Sequence, residues 1–354
     1  MKKIHQTEPI EKRGDELLTV GVDVGGTKID ASVVDSTGNI LTSHRCPTNP
    51  EKGPDGVITN VIECVKNCLG EIGKSAQALG IGMAGQVEKD TGVVRFAPNL
   101  DWHDIPLRAK LEEALQLPVT VTNDVRAATY GEWSYGAGQN VDDLLCLFVG
   151  TGIGGGIVSG GKLLEGCRNS AGELGHITIV TNGRKCHCRN RGCLEAYAGG
   201  WAIGERAQET AHSDLKSGQP LITSAGSIDQ ITAATVSEAY KSGDPMAKQI
   251  VEETALYLAA GLVAMANAFN PCLIVMGGGV IQGLPEYIPM AEHIVRLNAL
   301  ETALEGLRIV KPALGDKAGV IGAAALARQY FQESKIVPGV AVNTERATGE
   351  KREN

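Results

Sequence analysis

The sequence predicts an α/β protein built as two units with a cleft between them, and three observations carry that expectation. The chain has 354 residues, more than one compact core accommodates. A strand–glycine turn–strand pattern that opens near residue 17 returns near residue 144. Past residue 195 the apolar spacing becomes mainly helical. The expected units are 17–138 and 139–331, with the C-terminal helix free to return to the first. A polar leader over 1–16, expected to be disordered, and a polar tail over 332–354 flank them.

Leu17 to Val24 reads as a buried strand, and Gly25-Gly26-Thr27-Lys28 as a tight turn. Ile29 to Val34 is a second strand, which Ser36-Thr37-Gly38-Asn39 turns into a third. Pro54 to Leu69 has helical spacing, Ala78 to Met83 is a strand, and Val93 to Ala97 a short strand leading to Pro98-Asn99-Leu100. A helix is expected from about Pro106 to Leu115, then a strand from Val119 to Val121. Asn123-Asp124 is placed to cap a helix running to about Tyr135.

The second unit opens with a strand over Leu144 to Val149, the turn Gly150-Thr151-Gly152, a strand over Gly156 to Val158 and a hairpin turn at Ser159-Gly160-Gly161. Aligning Asp23 with Gly150 places Gly25 on Gly152, an internal duplication of one strand–turn–strand unit. Helices follow over roughly 195–211, 229–241, 244–269, 283–300 and 317–331, with strands at Cys272 to Met276 and Leu307 to Val310. Ligands favour the cleft that two such units leave between them.

Composition narrows the function classes. Hydrophobic residues make up 43%, an ordinary globular share. A net charge of -8 argues against non-specific nucleic-acid binding. Aromatics at 4% beside 45 glycines suit tight turns and backbone contacts to a ligand better than a base-stacking surface. The leader has no apolar core of a secretory signal. The apolar run from Thr254 to Phe269 is short for a membrane span and contains Gly261 and Asn267. Six of the nine cysteines are scattered in mostly apolar surroundings and read as small hydrophobes, so a reducing cytoplasm is expected.

The densest chemistry lies over 173–195. Cys186, Cys188 and Cys193 fall in one short loop with His176 upstream, a complete tetrahedral donor set for Zn²⁺. Four protein ligands leave no open position, so the expected ion is structural. Gly192 lets the backbone turn beside Cys193. His187 is the alternative fourth ligand. His176 is preferred because it follows an apolar, strand-like approach, whereas His187 sits between two ligands. Glu173 and Glu195 bracket the set, and a metal clip there could aim both carboxylates into one pocket.

The glycine turns suggest phosphate chemistry. Backbone N–H groups of Gly25 and Gly26 can point at phosphate oxygens, Thr27 adds a hydroxyl and Lys28 a cation, and Asp23 could hold Mg²⁺ through water. Thr151 and Gly152 supply a matching turn that could grip a polyphosphate from the other side. Gly277-Gly278-Gly279 is a third turn, where bare backbone could let a flat purine lie close. Gly150 to Gly155 fits the dinucleotide-binding spelling, but a strand follows instead of a helix, so that mechanism is missing. Asp124, beyond a buried strand and at a helix N-terminus, is the candidate base for phosphoryl transfer to an alcohol.

Taken in order, Asp23-x-Gly25-Gly26-Thr27-Lys28 after a strand, Asn123-Asp124 before a helix, Gly150-Thr151-Gly152-x-Gly154, Glu173-x-Gly175-His176, Cys186-x-Cys188…Gly192-Cys193-x-Glu195 and Asn270-Pro271…Gly277-Gly278-Gly279 resemble the ROK family of sugar kinases and repressors. The resemblance runs from about 18 to 331 and is greatest to the bacterial glucokinase branch. It implies the two-domain actin-like ATPase (ribonuclease H-like) fold with an interdomain cleft, ATP with Mg²⁺, a hexose substrate and a homodimer. By that resemblance Asp124 takes the proton from the sugar 6-hydroxyl. Asn99, Asn123, Glu173, His176 and Glu195 bind sugar hydroxyls, and Gly85 lines the pocket. Asp23, Gly25, Thr27, Thr151 and Gly152 surround phosphates and Mg²⁺, and Gly277, Gly278 and Gly279 the adenosine. His176 then serves twice, as zinc ligand and sugar contact. Arg189 departs from the family, which usually has glycine just after the second cysteine. Kinases for N-acetylmannosamine, N-acetylglucosamine, fructose or another hexose share these motifs. Repressors of the family carry a helix-turn-helix domain before the first strand, and only about 16 polar residues precede it here.

Overall fold

The structure, a computed structural model, describes residues 17–336, with side chains to 333. The leader expected over 1–16 and the tail beyond Ile336 lie outside the described residues.

The first half runs β1 (Thr19–Val24), β2 (Lys28–Val34), β3 (Ile40–Pro47), α1 (Gly53–Ile72), β4 (Ala78–Met83), β5 (Gln86–Val87), β6 (Val94–Ala97), β7 (Trp102–Ile105), α2 (Leu107–Leu115), β8 (Val119–Asn123) and α3 (Asp124–Tyr135). Its main sheet has the order β3-β2-β1-β4-β8, antiparallel through the hairpins and parallel from β1 to β8. β1 and β4 are buried on both faces, which is why their sequences read as continuous apolar and glycine runs. β5, β6 and β7 form a separate small sheet. Only its middle strand was legible, because two- and four-residue strands give too short a period to read.

The second half runs β9 (Leu144–Val149), β10 (Ile153–Ser159), β11 (Lys162–Leu163), α4 (Glu195–Ala198), α5 (Gly200–Ser213), α6 (Leu215–Ala225), α7 (Ala233–Lys241), α8 (Pro245–Phe269), β12 (Leu273–Gly277), α9 (Gly279–Gly283), α10 (Tyr287–Asn298), α11 (Glu301–Leu304), β13 (Arg308–Val310) and α12 (Ala318–Ile336). Its sheet, β11-β10-β9-β12-β13, repeats the first sheet's order and strand directions. The duplication is therefore real, but its register differs from the expected one. Val24 faces Ile29 across the first turn and Val149 faces Ile153 across the second, so Asp23 matches Phe148 and not Gly150. The second turn is one residue shorter, which a glycine spelling cannot reveal.

Several helices also depart from expectation. The helix expected over 195–211 breaks at Gly199, whose extended backbone (φ −66°, ψ 152°) separates α4 from α5. α6, with Pro220 inside it, was not anticipated. α12 runs to Ile336, the last described residue, past the expected 331. α8 is long and apolar enough to cross a membrane by length and composition, yet its apolar residues pack in the core of the second half.

Glycine governs how the layers stack. α12 lies on β1 and β4, where a Cβ on Gly21 or Gly80 would fall 1.8 and 1.9 Å from the carbonyl oxygens of Val320 and Ala323. α3 lies on β10, where Gly154 and Gly156 leave room for Val125 and Thr129. The two helices cross at Gly131 and Gly322. An α3–α12 layer thus sits between the sheets, and much of the glycine content serves this close approach as well as turns. Both chain connections between the sheets, 136–143 and 311–317, run past Glu132. Its buried carboxylate accepts the N–H groups of Ala137 (2.9 Å), Ala313 (2.9 Å) and Leu314 (2.8 Å).

Candidate active site

The parallel strands β1, β4 and β8 end on one edge. Asp23 stands in register with Gly82, and Met83 with Asn123. Asn123 caps α3, its Oδ1 accepting the N–H groups of Val125 (3.0 Å) and Arg126 (3.1 Å). Its Nδ2 donates to the Gly85 carbonyl at 3.5 Å. With the cap supplied by Asn123, the neighbouring carboxylate needs only one local bond, from the Val125 N–H to its Oδ1 at 2.9 Å.

Burial, and then the negative charge of Glu173, hold the Asp124 carboxyl above its ordinary range. Asp23 is pushed up to about 7, first by burial and then by the charges of Asp124 and Asp30. These mutual effects place Asp23, Asp124 and Glu173 in one electrostatic neighbourhood, although they come from β1, α3 and the loop after β11.

Glu173 is exposed and precedes a short 3₁₀ turn, Leu174–His176, pressed onto β10. A Cβ on Gly175 would lie 2.1 Å from the Ile153 carbonyl oxygen, so only glycine permits that approach. Glu195 heads α4 and reaches the second glycine turn. Its Oε2 accepts the Ile153 N–H at 2.8 Å, and a Cβ on Gly152 would lie 2.4 Å from that oxygen.

His176, Cys186, Cys188 and Cys193 form a group that could hold a metal ion, their donor atoms all within 4.8 Å of one another. The Cys188 and Cys193 sulfurs are 3.6 Å apart, and the Cys186 sulfur is 3.7 Å from His176 Nδ1. Zn–S bonds of about 2.3 Å at the tetrahedral angle require a sulfur separation of roughly 3.8 Å, so the donors fit. Glu195 Oε1 stands 3.9 Å from the Cys186 sulfur, next to this group. His187 lies outside it.

The first glycine turn is closed by the Gly25 N–H donating to the Lys28 carbonyl at 2.9 Å. Thr48 fastens it, its hydroxyl donating to the Gly25 carbonyl at 2.8 Å and its N–H to that of Thr27 at 3.0 Å. The Thr27 and Lys28 side chains are exposed, and Lys28 pairs with Asp30 at 3.4 Å. A Cβ on Gly26 would face the Asn99 Cβ at 3.6 Å, so Asn99, itself exposed, borders this turn.

The second turn opens onto a mostly apolar slot of about 390 Å³. Gly150 and Thr151 form one side, Gly279, Val280 and Gly283 another, and Gly200, Trp201, Thr232, Ala233, Ala234 and Ser237 the rest. Of the third glycine turn only Gly279 lines the slot. Gly277 is buried in β12, and Gly278 (φ +90°) packs on the Val149 carbonyl. Sequence reasoning missed the α5 and α7 wall, whose residues read as ordinary helix. The Gly199-Gly200 pair inside an expected helix was the one available signal. A second cavity, about 430 Å³ and lined by Tyr130, Trp133 and Asp142 among others, shares no residue with these groups.

Arg126 was also missed. It is buried on α3, two residues after Asp124, and donates to the side chain and carbonyl of Asn169 and, at 3.2 Å, to the Ala171 carbonyl. Asn169 in turn donates to the Val87 carbonyl at 3.1 Å. The loop leading to Glu173 is thereby tied across the gap to the first half.

The profile described as "ROK family" matches residues 19–330. A glucokinase of Streptomyces coelicolor is 38% identical over 314 residues, which cover 88% of this chain and 98% of the relative. Among solved structures, a ROK family glucokinase from Streptomyces griseus in complex with glucose and AMPPNP superposes with a TM-score of 0.76 at 39% identity, covering 88% of this chain and 99% of that one. A ROK hexokinase from Thermus thermophilus does so at 0.76 and 34%, covering 89% and 99%.

Proposed function

The chain belongs to the ROK family, and we propose that it is a glucokinase, transferring the γ-phosphoryl group of ATP to the 6-hydroxyl of glucose in a cleft between its two halves. The observation that carries the reading is the position of Asp124. It is a carboxyl held above its ordinary range by burial, beside Glu173 and Asp23, at the head of a helix that Asn123 already caps. A general base works best when its proton affinity approaches the operating pH.

Glucose lies among Asn99, Asn123, Glu173, His176 and Glu195, with Gly85 lining the pocket. These side chains orient the 6-hydroxyl toward Asp124, which accepts its proton as the new O–P bond forms and the β–γ bridging oxygen leaves with ADP. Gly25, Gly26, Thr27 and Lys28 flank the phosphates on one side, and Thr151 and Gly152 on the other. The adenosine occupies the 390 Å³ slot, which Gly279 of the third glycine turn lines. Asp23 would hold, through water, the Mg²⁺ that accompanies ATP, and that ion would neutralise charge on the phosphate oxygens. His176, Cys186, Cys188 and Cys193 hold a structural Zn²⁺ that keeps Glu195 and the Glu173 segment at fixed separation. The two separate cores support units of 17–138 and 139–331, with α12 returned to the first.

Asp124→Asn removes the proton acceptor but keeps the side-chain shape. It is expected to abolish turnover in a coupled ADP-release assay while glucose binding persists, and wild-type-like kcat overturns the assignment. Across a hexose panel glucose gives the highest kcat/KM; a higher value for an N-acetylhexosamine would move the substrate. Metal analysis of the purified protein finds about one zinc per chain, held by the four-donor set.

A further inference from the structure

His187 stands between two of the four metal donors without joining them. Its ring stacks on that of Trp201, with centroids 4.2 Å apart and planes 25° from parallel. Trp201 also lines the slot beside the second glycine turn, and its backbone N–H donates to the Thr151 carbonyl at 3.0 Å. Trp201 therefore meets the metal loop through its indole and the glycine turn through its backbone, and it lines the slot between them. The loop is fastened along α5 as well. The Arg184 guanidinium donates to Glu209 at 2.7 and 2.8 Å and to Glu205 at 3.3 Å, and the Arg184 backbone N–H donates to the Tyr197 hydroxyl at 2.8 Å.

We propose that His187 is a positioning residue that holds Trp201 as a wall of the nucleotide slot, so that the metal loop sets affinity for the nucleotide as well as the geometry of the sugar side. This rests on the reading of the slot as the adenosine site. The physical reason lies in the indole. Its Nε1–H is buried and has no hydrogen-bond partner among the described residues, so solvation favours a rotamer that swings it toward water. A stacked ring opposes that swing. The His187 ring is held for this by its neighbours, because Cys186 and Cys188 on either side are both members of the donor group. The exposed imidazole thus acts by its flat face, which any aromatic ring supplies.

The test uses the zinc-loaded full chain. His187→Ala is expected to raise KM for ATP roughly 3- to 10-fold, the range of a lost aromatic stack, with kcat and KM for glucose within about twofold of wild type. Zinc content stays unchanged, and His187→Phe restores the ATP KM. Trp201 fluorescence, read by difference against Trp201→Phe, responds to AMPPNP in the wild type, and in His187→Ala that response needs correspondingly more nucleotide. An unmoved ATP KM, an equal change in glucose KM, failure of phenylalanine to rescue, or loss of zinc from His187→Ala each overturn the proposal. The last would make His187 a ligand. Turnover surviving in Asp124→Asn would instead sink the kinase mechanism, so the two failures are distinguishable.

Discussion

Glu195 Oε2 accepts the backbone N–H of Ile153 at 2.8 Å, joining the head of α4 to the second glycine turn. The bond spans the boundary between the sugar side and the phosphate side of the proposed site. It exists only because residue 152 has no side chain.

Gly152→Ala would put a methyl group 2.4 Å from Glu195 Oε2 and 3.1 Å from its Cδ. The carboxylate is the mobile end of its side chain, so it yields before the backbone does and the fold survives. What is lost is the aim of Glu195. Displacements near 1 Å at a reacting centre cost on the order of 100-fold, so kcat/KM for glucose should fall by roughly 10- to 100-fold with the melting temperature nearly unchanged. Steady-state kinetics beside thermal denaturation checks this; full activity in the alanine variant would mean that the bond does not position Glu195.

Asp23 predicts a pH dependence. Its carboxyl is raised to about 7 in the fold from 3.8, chiefly by burial. A carboxyl raised by folding contributes stability that is complete below its unfolded value and is lost as pH rises through the folded one. The nucleotide-free protein should therefore lose stability between about pH 4 and 7 through this group, whereas Asp23→Asn should not. The difference in melting temperature between wild type and Asp23→Asn should shift toward the variant as pH rises from 5 to 8. A cation brought near Asp23 favours its ionised form. Binding of Mg²⁺ with AMPPNP near pH 6.5 should then release protons in the wild type and fewer in the variant, measurable by calorimetry in buffers of different ionisation enthalpy.

What the sequence made legible was local. The metal donors lie within 18 residues of one another, the Asn123 cap acts on N–H groups two and three residues on, and the first two glycine turns close on themselves. Such features depend on side chains whose spacing the chain itself sets. The slot wall was not legible, because Trp201 and Ser237 are helical residues whose spacing states only that a helix is amphipathic, and Thr232 reads as an ordinary helix cap. Arg126 reads as one charge on a helix until the fold brings Asn169 to it from 43 residues away. The glycines at 21, 80, 131 and 322 fall inside strands and helices expected from the sequence, but only the structure shows that they admit another element's backbone. That meaning appears only once the partner is known.

Both connections between the sheets converge on Glu132. Its two oxygens accept three backbone N–H groups, one from the connection after α3 and two from the connection before α12. Only acceptors can meet three converging donors. Glu132→Gln keeps the shape but turns one oxygen into an NH₂ group facing an N–H, which leaves at least one buried donor unpaired. Breaking a buried charge-assisted bond in this way costs about 2–4 kcal/mol. Glu132→Ala, which leaves all three donors unpaired and adds a cavity, should cost more. Urea denaturation should order the stabilities as wild type, glutamine, alanine. A glutamine variant as stable as the wild type would show that the connections are held by the α3–α12 packing alone.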